Sequence, residues 1–137
     1  MNKLFFLLTT FIFCQSSFAL HFEIRGKKQV VSFASDIKPL LPRTLGDITI
    51  DVLDKNAIAY EGSSEKLSSL MGLGNDMEVL SDQEMKAYGW CFSLDEQVLD
   101  TMSNETLVID QQSSIVWFYA FAHFKDGHWI KQCSPSL

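Results

Sequence analysis

The sequence lacks the short motifs that mark the common nucleotide-dependent and hydrolytic enzymes. It contains no Walker loop, no dinucleotide fingerprint, no nucleophile elbow and no histidine–glutamate zinc motif. Basic residues are also few, with 11 Lys and Arg against 17 Asp and Glu and a net charge of −6. An acidic chain without a basic patch does not suit a nucleic-acid or anionic-membrane partner. These absences favour a non-enzymatic binding protein.

Long apolar runs are confined to the N-terminus. Residues 1–19 combine a positive start, an apolar segment at 4–13 and small residues that end at Ala19. The apolar segment is shorter than the roughly 20 residues that a bilayer-spanning helix needs. We therefore expect a signal peptide cleaved after Ala19, a periplasmic or secreted product and no membrane insertion of the mature chain. Acylation of Cys14 is the alternative, which the bulky Phe13 before it disfavours.

Cysteine is scarce, and only two cysteines follow the predicted signal peptide. These are Cys91 and Cys133. An even count in an exported protein favours a disulfide, and closing a loop of about 40 residues stabilises a fold by roughly 4 kcal/mol in the chain-entropy model. The alternative is a nucleophilic thiol at Cys91, activated by His123 or His128. Because Cys133 can serve as a disulfide partner, we favour the disulfide.

The first half of the mature chain predicts a hairpin and one helix. Partial alternation over residues 20–25, a turn glycine and an apolar run over 29–33 are typical of a β-hairpin. Ile50 and Leu53 lie at helical spacing in a segment with acidic residues on its other side. The main helix is therefore predicted at residues 44–56.

The region after this helix gives weaker signals. A short strand is predicted at residues 58–61, whereas residues 67–73 fit a strand or a helix equally well. Residues 78–87 are acidic, and we expect a loop there with one helical turn. Residues 90–94 predict the next strand.

The last third of the chain is its most apolar and aromatic part, and all three tryptophans lie there. A Lys-Asp-Gly turn at residues 125–127 separates the apolar runs 115–124 and 128–133. This pattern predicts the central hairpin of a small sheet. We expect residues 20–137 to form one α+β domain with a mixed sheet and one main helix.

Four short segments resemble the transcobalamin-like C-terminal domain family. Residues 50–60 resemble its helix followed by a small residue and a tyrosine, and residues 70–73 resemble its middle Ser-Ile-Asn-Gly segment. Residues 89–95 (Gly-Trp-Cys-Phe-Ser-Leu-Asp) resemble its Gly-Trp-x-Tyr-x-Val-Asn-Gly strand and turn. Residues 109–119 resemble its closing strand. The Asp-Glu turn after the third segment and the C-terminal extension depart from the family pattern.

The resemblance implies a β-grasp-like domain and a cobalamin-related function. In cobalamin carriers the related domain covers one face of the corrin ring, while a helical domain holds the rest. No such helical domain is present in this sequence. The resemblance therefore implies either a half-site for cobalamin or a related tetrapyrrole, completed by another chain or an oligomer, or a domain that has lost the ligand.

The candidate ligand-binding residues are aromatic and lie on two predicted strands. They are Trp90, Phe92, Trp117, Tyr119 and Phe121. The last three alternate along one strand and so share one face of the sheet. Because one helix covers one face only, an exposed aromatic face would bind a flat ligand or a protein partner. The alternative is that the loops 74–89 and 95–106 cover these residues.

The remaining candidates carry weaker signals. His123 and His128 flank the predicted turn with Asp126 between them, which suits a weak metal site or an axial ligand but is not a specific signature. We favour surface histidines, as for His21, and predict no metal ligand and no catalytic residue. Asn104 begins an N-glycosylation sequon, which matters only in a eukaryotic secretory pathway. The second function considered is a protein-interaction module of the cell envelope that uses the aromatic face or a sheet edge.

Overall fold

The computed structural model describes residues 19–35 and 41–136. The predicted signal peptide lies almost wholly outside these residues. Within them the structure is a small single domain with one helix and mostly strands. The elements are β1 Leu20–Arg25, β2 Val30–Ser35, β3 Arg43–Thr44, α1 Leu45–Lys55, β4 Tyr60–Gly62, β5 Leu67–Leu70, β6 Leu73–Gly74, β7 Asp76–Ser81, β8 Glu84–Leu94, β9 Gln97–Val98, β10 Leu107–Val108, β11 Ser114–Lys125 and β12 His128–Pro135.

The main sheet is mixed and has seven strands, with β11 at its centre. Its order is β2-β1-β11-β8-β7, with β12 also paired to β11 and β9 to β8. The β1–β11 pair is parallel and the other pairs are antiparallel. β1 pairs with residues 114–118 of β11, and β12 pairs with residues 120–125. β1 and β12 therefore lie one after the other along the same edge of β11, because β8 occupies the whole opposite edge.

Side-chain hydrogen bonds cap both ends of helix α1. The Thr44 hydroxyl accepts a hydrogen bond from the backbone N–H of Asp47 at 3.1 Å and so caps the first turn. At the other end the Asn56 side chain donates to the Val52 carbonyl at 2.8 Å. The helix predicted at 44–56 is confirmed.

The core lies between α1 and the sheet face toward it, which we call the inner face; the opposite face is the outer face. Alternate residues of β1 point inward, where Phe22 and Ile24 are fully buried against Leu45 and Ile48 of the helix. The remaining buried core residues are Leu20 of β1 and residues of α1, β5, β8, β10 and β11. Inward burial of one residue in two is the pattern that a sheet with one covering helix requires.

The predicted α+β class, mixed sheet and single main helix are confirmed for the described residues. The N-terminal hairpin is confirmed as β1–β2, and the C-terminal hairpin as β11–β12. The strand at 90–94 is the second half of β8. The ambiguous segment 67–73 forms β5 and the start of β6.

The predicted loop at residues 78–87 is wrong. β7 and the first half of β8 occupy it as an antiparallel pair joined by a tight turn. The acidic residues Glu78 and Glu84 alternate with the apolar Met77, Val79 and Met85. That alternation is the strand period, and the acidity reflects solvent exposure of the pair instead of a loop.

The disulfide predicted between Cys91 and Cys133 is confirmed. The two Cα atoms are 5.8 Å apart, and the bridge joins β8 to β12 across β11. A bulge in β12 near Cys133, which has a φ of 49°, brings this cysteine over the strand between them. The bond takes Cys91 out of thiol chemistry. None of the helices in the described segments is both long and apolar enough to cross a membrane.

Candidate functional site

The central residues of the predicted aromatic site belong to the core. Trp117 is 3% exposed, and its indole N–H donates to the hydroxyl of Thr49 in α1 at 2.9 Å. Phe92 packs against this indole with ring centroids 5.2 Å apart. Helix α1 therefore covers the face on which we expected an open aromatic surface.

The next pair in the row is covered by β6. Tyr119 is 2% exposed, and its hydroxyl donates to the Gly74 carbonyl at 2.8 Å. Trp90 contacts the Tyr119 ring edge-on at 5.4 Å and donates to the Leu73 carbonyl at 2.7 Å. Burial raises the pKa of Tyr119, and the negative charge of Asp76 raises it further. The cover consists of α1 and the β5–β6 segment, together with parts of the two loops that we considered: Gly74 begins the loop 74–89, and Leu99 of the loop 95–106 packs against the core.

The end of the row that lies farthest from α1 is partly exposed. Phe121 and Tyr88 lie there, with centroids 5.9 Å apart. The Lys86 ammonium lies 5.1 Å from the Phe121 centroid, and the Lys27 ammonium lies 5.3 Å from that of Tyr88. Ammonium groups over aromatic faces are favourable contacts. The structure thus brings all five predicted residues into one row, which continues the core toward solvent.

The outer face carries the larger cleft. Its volume is about 540 Å³, and it lies over the β11 residues that alternate with the aromatic row. The residues that matter most are Arg25, Val30, Glu96, Val98, Val116 and Phe118. Val116 and Phe118 form an apolar floor and are each 8% exposed, whereas Val30 and Val98 at the sides are more than half exposed. An apolar cleft of this size with a few polar groups is typical of a ligand site.

Two charged residues of opposite sign lie at this outer cleft. The Arg25 guanidinium donates through Nε to the Glu23 carboxylate, which lowers the pKa of Glu23; the neighbouring His21 lowers it further. Because the bond uses Nε, the two terminal nitrogens of Arg25 can serve a second acceptor. Glu96 lies in the β8–β9 turn, where it and Asp95 have positive φ values of 68° and 50°. Asp95 fixes this turn by accepting from the Ser114 N–H at 2.8 Å.

A second, shallower hollow lies farther along the outer face, beside the disulfide. It has a volume of about 420 Å³, and small side chains of Ala87, Ala120 and Ala122 are part of its lining, with Trp129 and Cys133. Phe124 contacts Trp129 edge-on at 5.2 Å. Large apolar side chains are exposed around this part of the sheet: Met77, Val79, Leu80, Trp129 and Ile130.

The histidines form no shared site. His123 pairs with Glu84 at 2.7 Å and His21 pairs with Glu23 at 3.3 Å, so each is engaged by a single carboxylate. Residues 19–35 and 41–136 contain no cluster of three or more His, Cys, Asp or Glu that could hold a metal ion. Asn104 is half-buried, and the hydroxyl of Thr106 in its sequon donates to the Met102 carbonyl at 3.1 Å.

The outer cleft was missed by the sequence analysis, although a signal for it exists. The same alternation that places Trp117 and Tyr119 on one face places Val116 and Phe118 on the other. What the pattern cannot supply is which face α1 covers. The side residues Val30 and Val98 come from strands distant in sequence, and only the sheet order brings them together.

Comparisons with known proteins identify no family. A scan of protein-family models finds no match, and a search of curated proteins also finds none. A search of solved structures finds the crystal structure of a "putative metal binding protein" from Ruminococcus gnavus, with 16% sequence identity and a TM-score of 0.48. The alignment covers 80% of the present chain and 98% of that protein. At this identity and TM-score the similarity supports no statement about ligand or function.

Proposed function

We propose that this chain is an exported, non-enzymatic binding domain whose ligand lies in the outer cleft. The observation that carries the proposal is the cleft itself: an apolar floor at Val116 and Phe118, exposed valines at the sides, and Arg25 and Glu96 as polar groups. Apolar surface of this kind favours a ligand with a flat or elongated apolar part. The charged residues would orient the polar substituents of that ligand. The disulfide supports export, since such bonds persist in oxidising compartments.

The resemblance to the transcobalamin-like C-terminal domain family gives the best-specified ligand, cobalamin or a related tetrapyrrole. A β-grasp-like arrangement is supported by the sheet order β2-β1-β11-β8-β7, with the parallel pair β1–β11 in the middle and one helix on the inner face. In this proposal the ring lies over Val116 and Phe118, and Arg25 contacts an amide or carboxylate at its edge. The aromatic row on the inner face, which includes Phe92, Trp117 and Phe121, then has a structural role and does not contact the ligand. Because the cleft is open, a second chain would complete the site.

The test is a titration of the mature protein with cobalamin, and separately with haem, followed by equilibrium dialysis. We expect saturable binding with a Kd below roughly 100 μM, which corresponds to about 5.5 kcal/mol. Val98→Glu should weaken binding at least about tenfold, since it places a charge against an apolar ligand at a loss of about 1.4 kcal/mol or more.

The matched control is Val79→Glu, which makes the same change at a 72% exposed outer-face position outside the cleft. It should leave the Kd unchanged. Equal weakening by both variants would place the ligand elsewhere on the outer face. No binding of either compound by the wild-type chain would refute the tetrapyrrole proposal for the chain alone.

The second candidate function is protein interaction, which a different part of the sheet favours. Several apolar side chains are exposed outside the outer cleft, on the edge strands β7 and β12: Met77, Val79, Trp129 and Ile130. Exposed apolar surface on edge strands is typical of a protein-interaction site.

A further inference from the structure

The part of the sheet beyond the core consists of four antiparallel strands, which we call the distal half: β7, residues 84–88 of β8, residues 121–125 of β11, and β12. β7 and β12 are its two edges, and both are largely exposed. Exposed edge strands present unpaired backbone groups that can join another strand.

The two edges differ in charge. β7 carries Asp76 and Glu78. β12 carries Lys131 and His128 and no acidic residue. Since the whole chain has a net charge of −6, two β7 edges brought together would place acidic side chains beside one another. The β12 edge is free of that repulsion.

The turn between β11 and β12 determines which backbone groups of β12 point outward. Asp126 and Gly127 have φ values of 50° and 82°, as a two-residue type I′ turn requires. In such a hairpin Lys125 and His128 form the hydrogen-bonded pair, and the next pair, Phe124 with Trp129, does not exchange backbone hydrogen bonds. The N–H and C=O of Trp129 therefore point away from β11, toward the free edge.

We propose that β12 is a dimerisation edge, which pairs antiparallel with β12 of a second copy about a two-fold axis at Trp129. The outward N–H and C=O of Trp129 then bond to those of the same residue in the second copy. Beyond the β12 bulge between Trp129 and Lys131, Lys131 of each copy approaches the turn of the other copy, which carries Asp126, so that two symmetry-related charge pairs form. The half-exposed Trp129 and Ile130 lose solvent contact in the pair.

A second copy fits this edge better than an unrelated strand. β12 and the turn before it together contain both members of the charge pair, Lys131 and Asp126, at positions that a two-fold axis brings together. The rotation also directs the two cores to opposite ends of the joined sheet, so that β2 of one copy does not meet the other. One short strand per copy makes a small interface, and we expect a weak dimer.

Sedimentation velocity of the mature protein over a concentration series, without added ligand, tests the proposal. We expect a monomer–dimer equilibrium that Trp129→Lys weakens at least about tenfold, a change of about 1.4 kcal/mol, because the two lysines would lie directly opposite one another across the two-fold axis. Lys131→Glu should also weaken it, since the new carboxylate lies beside that of Asp126 in the other copy.

The control is Val79→Lys, on the outer face of the opposite edge, which should leave the equilibrium unchanged. Thermal unfolding of each variant confirms that it is folded, and slower hydrogen exchange of the Trp129 amide at high concentration reports the strand pairing directly. A monomer at all concentrations would overturn the proposal. Equal loss of the dimer in Val79→Lys would assign the association to the apolar face and would also overturn it. Neither result bears on the outer cleft, which these residues do not line.

Discussion

The two halves of β11 have similar sequences and opposite environments. Residues 115–120 are Ile-Val-Trp-Phe-Tyr-Ala and are all buried, whereas residues 121–125 continue with Phe-Ala-His-Phe-Lys and are partly or fully exposed. The difference comes from what lies over the strand. Helix α1 and β5–β6 cover the inner face of the first half, and the described residues place no equivalent layer over the second. On the outer face, Val116 and Phe118 are flanked by side chains of neighbouring strands, such as Val30 and Val98. The hydrophobicity of a strand therefore does not determine its burial; the elements packed on it do.

This contrast predicts that stability is concentrated in the proximal half, by which we mean the part of the sheet that α1 covers. The distal half has large exposed side chains and two free edges, and such regions open at lower free energy than the core. Binding surfaces are commonly drawn from regions of this kind. Matched substitutions in the two halves test this prediction.

Trp117→Ala should cause the largest loss. It removes a buried indole from the contact with α1 and leaves the Thr49 hydroxyl without its donor. We expect the free energy of unfolding to fall by about 3–5 kcal/mol. Urea unfolding followed by circular dichroism measures it. The matched control, Trp129→Ala in the distal half, should cost less than about 1 kcal/mol, because the side chain is 49% exposed. Similar losses in both variants would show that the distal half is as well packed as the core.

The disulfide links the two halves and so tests how closely they are coupled. Replacing both Cys91 and Cys133 by Ser opens a loop with a sequence separation of 42. If β12 folds together with the core, the free energy of unfolding should fall by about 2–4 kcal/mol. Hydrogen exchange of the β12 amides, measured beside those of β1, distinguishes this from local fraying. Faster exchange confined to β12, with unchanged global stability, would show that the distal half unfolds independently.

Local sequence signals were sufficient for the two terminal hairpins, the helix and the disulfide, but not for the assignment of faces. The β1–β2 hairpin, α1 and the disulfide follow from strand alternation, helical spacing of apolar residues and an even cysteine count, all of which act over short distances or are counted directly. The position of α1 over Trp117 instead of Val116 depends on the path of the chain between them. Alternation states which side chains share a face and is silent on which face is covered.

The error at residues 78–87 has a different origin. The acidic residues there suggested a solvated loop, and the segment is indeed solvated, but as a strand pair. Met77 and Val79 do alternate with Asp76 and Glu78, but these two apolar residues are a weak strand signal beside the acidic residues of the segment. The outer cleft was missed because Val30, Val98 and Val116 come from three separate strands.

Alkaline pH should weaken the proximal half through Tyr119. Burial and the charge of Asp76 raise the pKa of this phenol above its ordinary value of 10.0. Above pH 10 the unfolded chain therefore releases a proton that the folded chain retains, and the stability falls as the pH rises. Below pH 10 both states are protonated and Tyr119 contributes no pH dependence.

The comparison for this effect is Tyr119→Phe. At pH 8 the variant should be less stable by about 1 kcal/mol, since the Gly74 carbonyl loses its donor. Urea midpoints measured at pH 8 and pH 10.5 should show this difference shrinking at the higher pH. Tyr60, whose pKa is also raised by a hydrogen bond to a carboxylate, remains in both proteins and so cancels. Tyr88 lies beside Tyr119, whose charge contributes to the raised Tyr88 pKa, so Tyr88→Phe is included in both proteins to remove this contribution. If the stability difference between wild type and Tyr119→Phe is the same at both pH values, Tyr119 ionises as easily in the folded state as in the unfolded state.

The smallest effect is expected for Val79→Ser in the distal half. Val79 is 72% exposed on an edge strand, so the change removes little buried apolar surface and should alter the unfolding free energy by less than about 0.5 kcal/mol. Val52→Ser, the same change in the helix face that packs on the sheet, buries a hydroxyl and should cost several times more. Urea unfolding of the two variants side by side compares the halves with identical chemistry. A loss at Val79 near that at Val52 would mean that a second layer covers the distal outer face in solution, as a stable dimer through that face would provide.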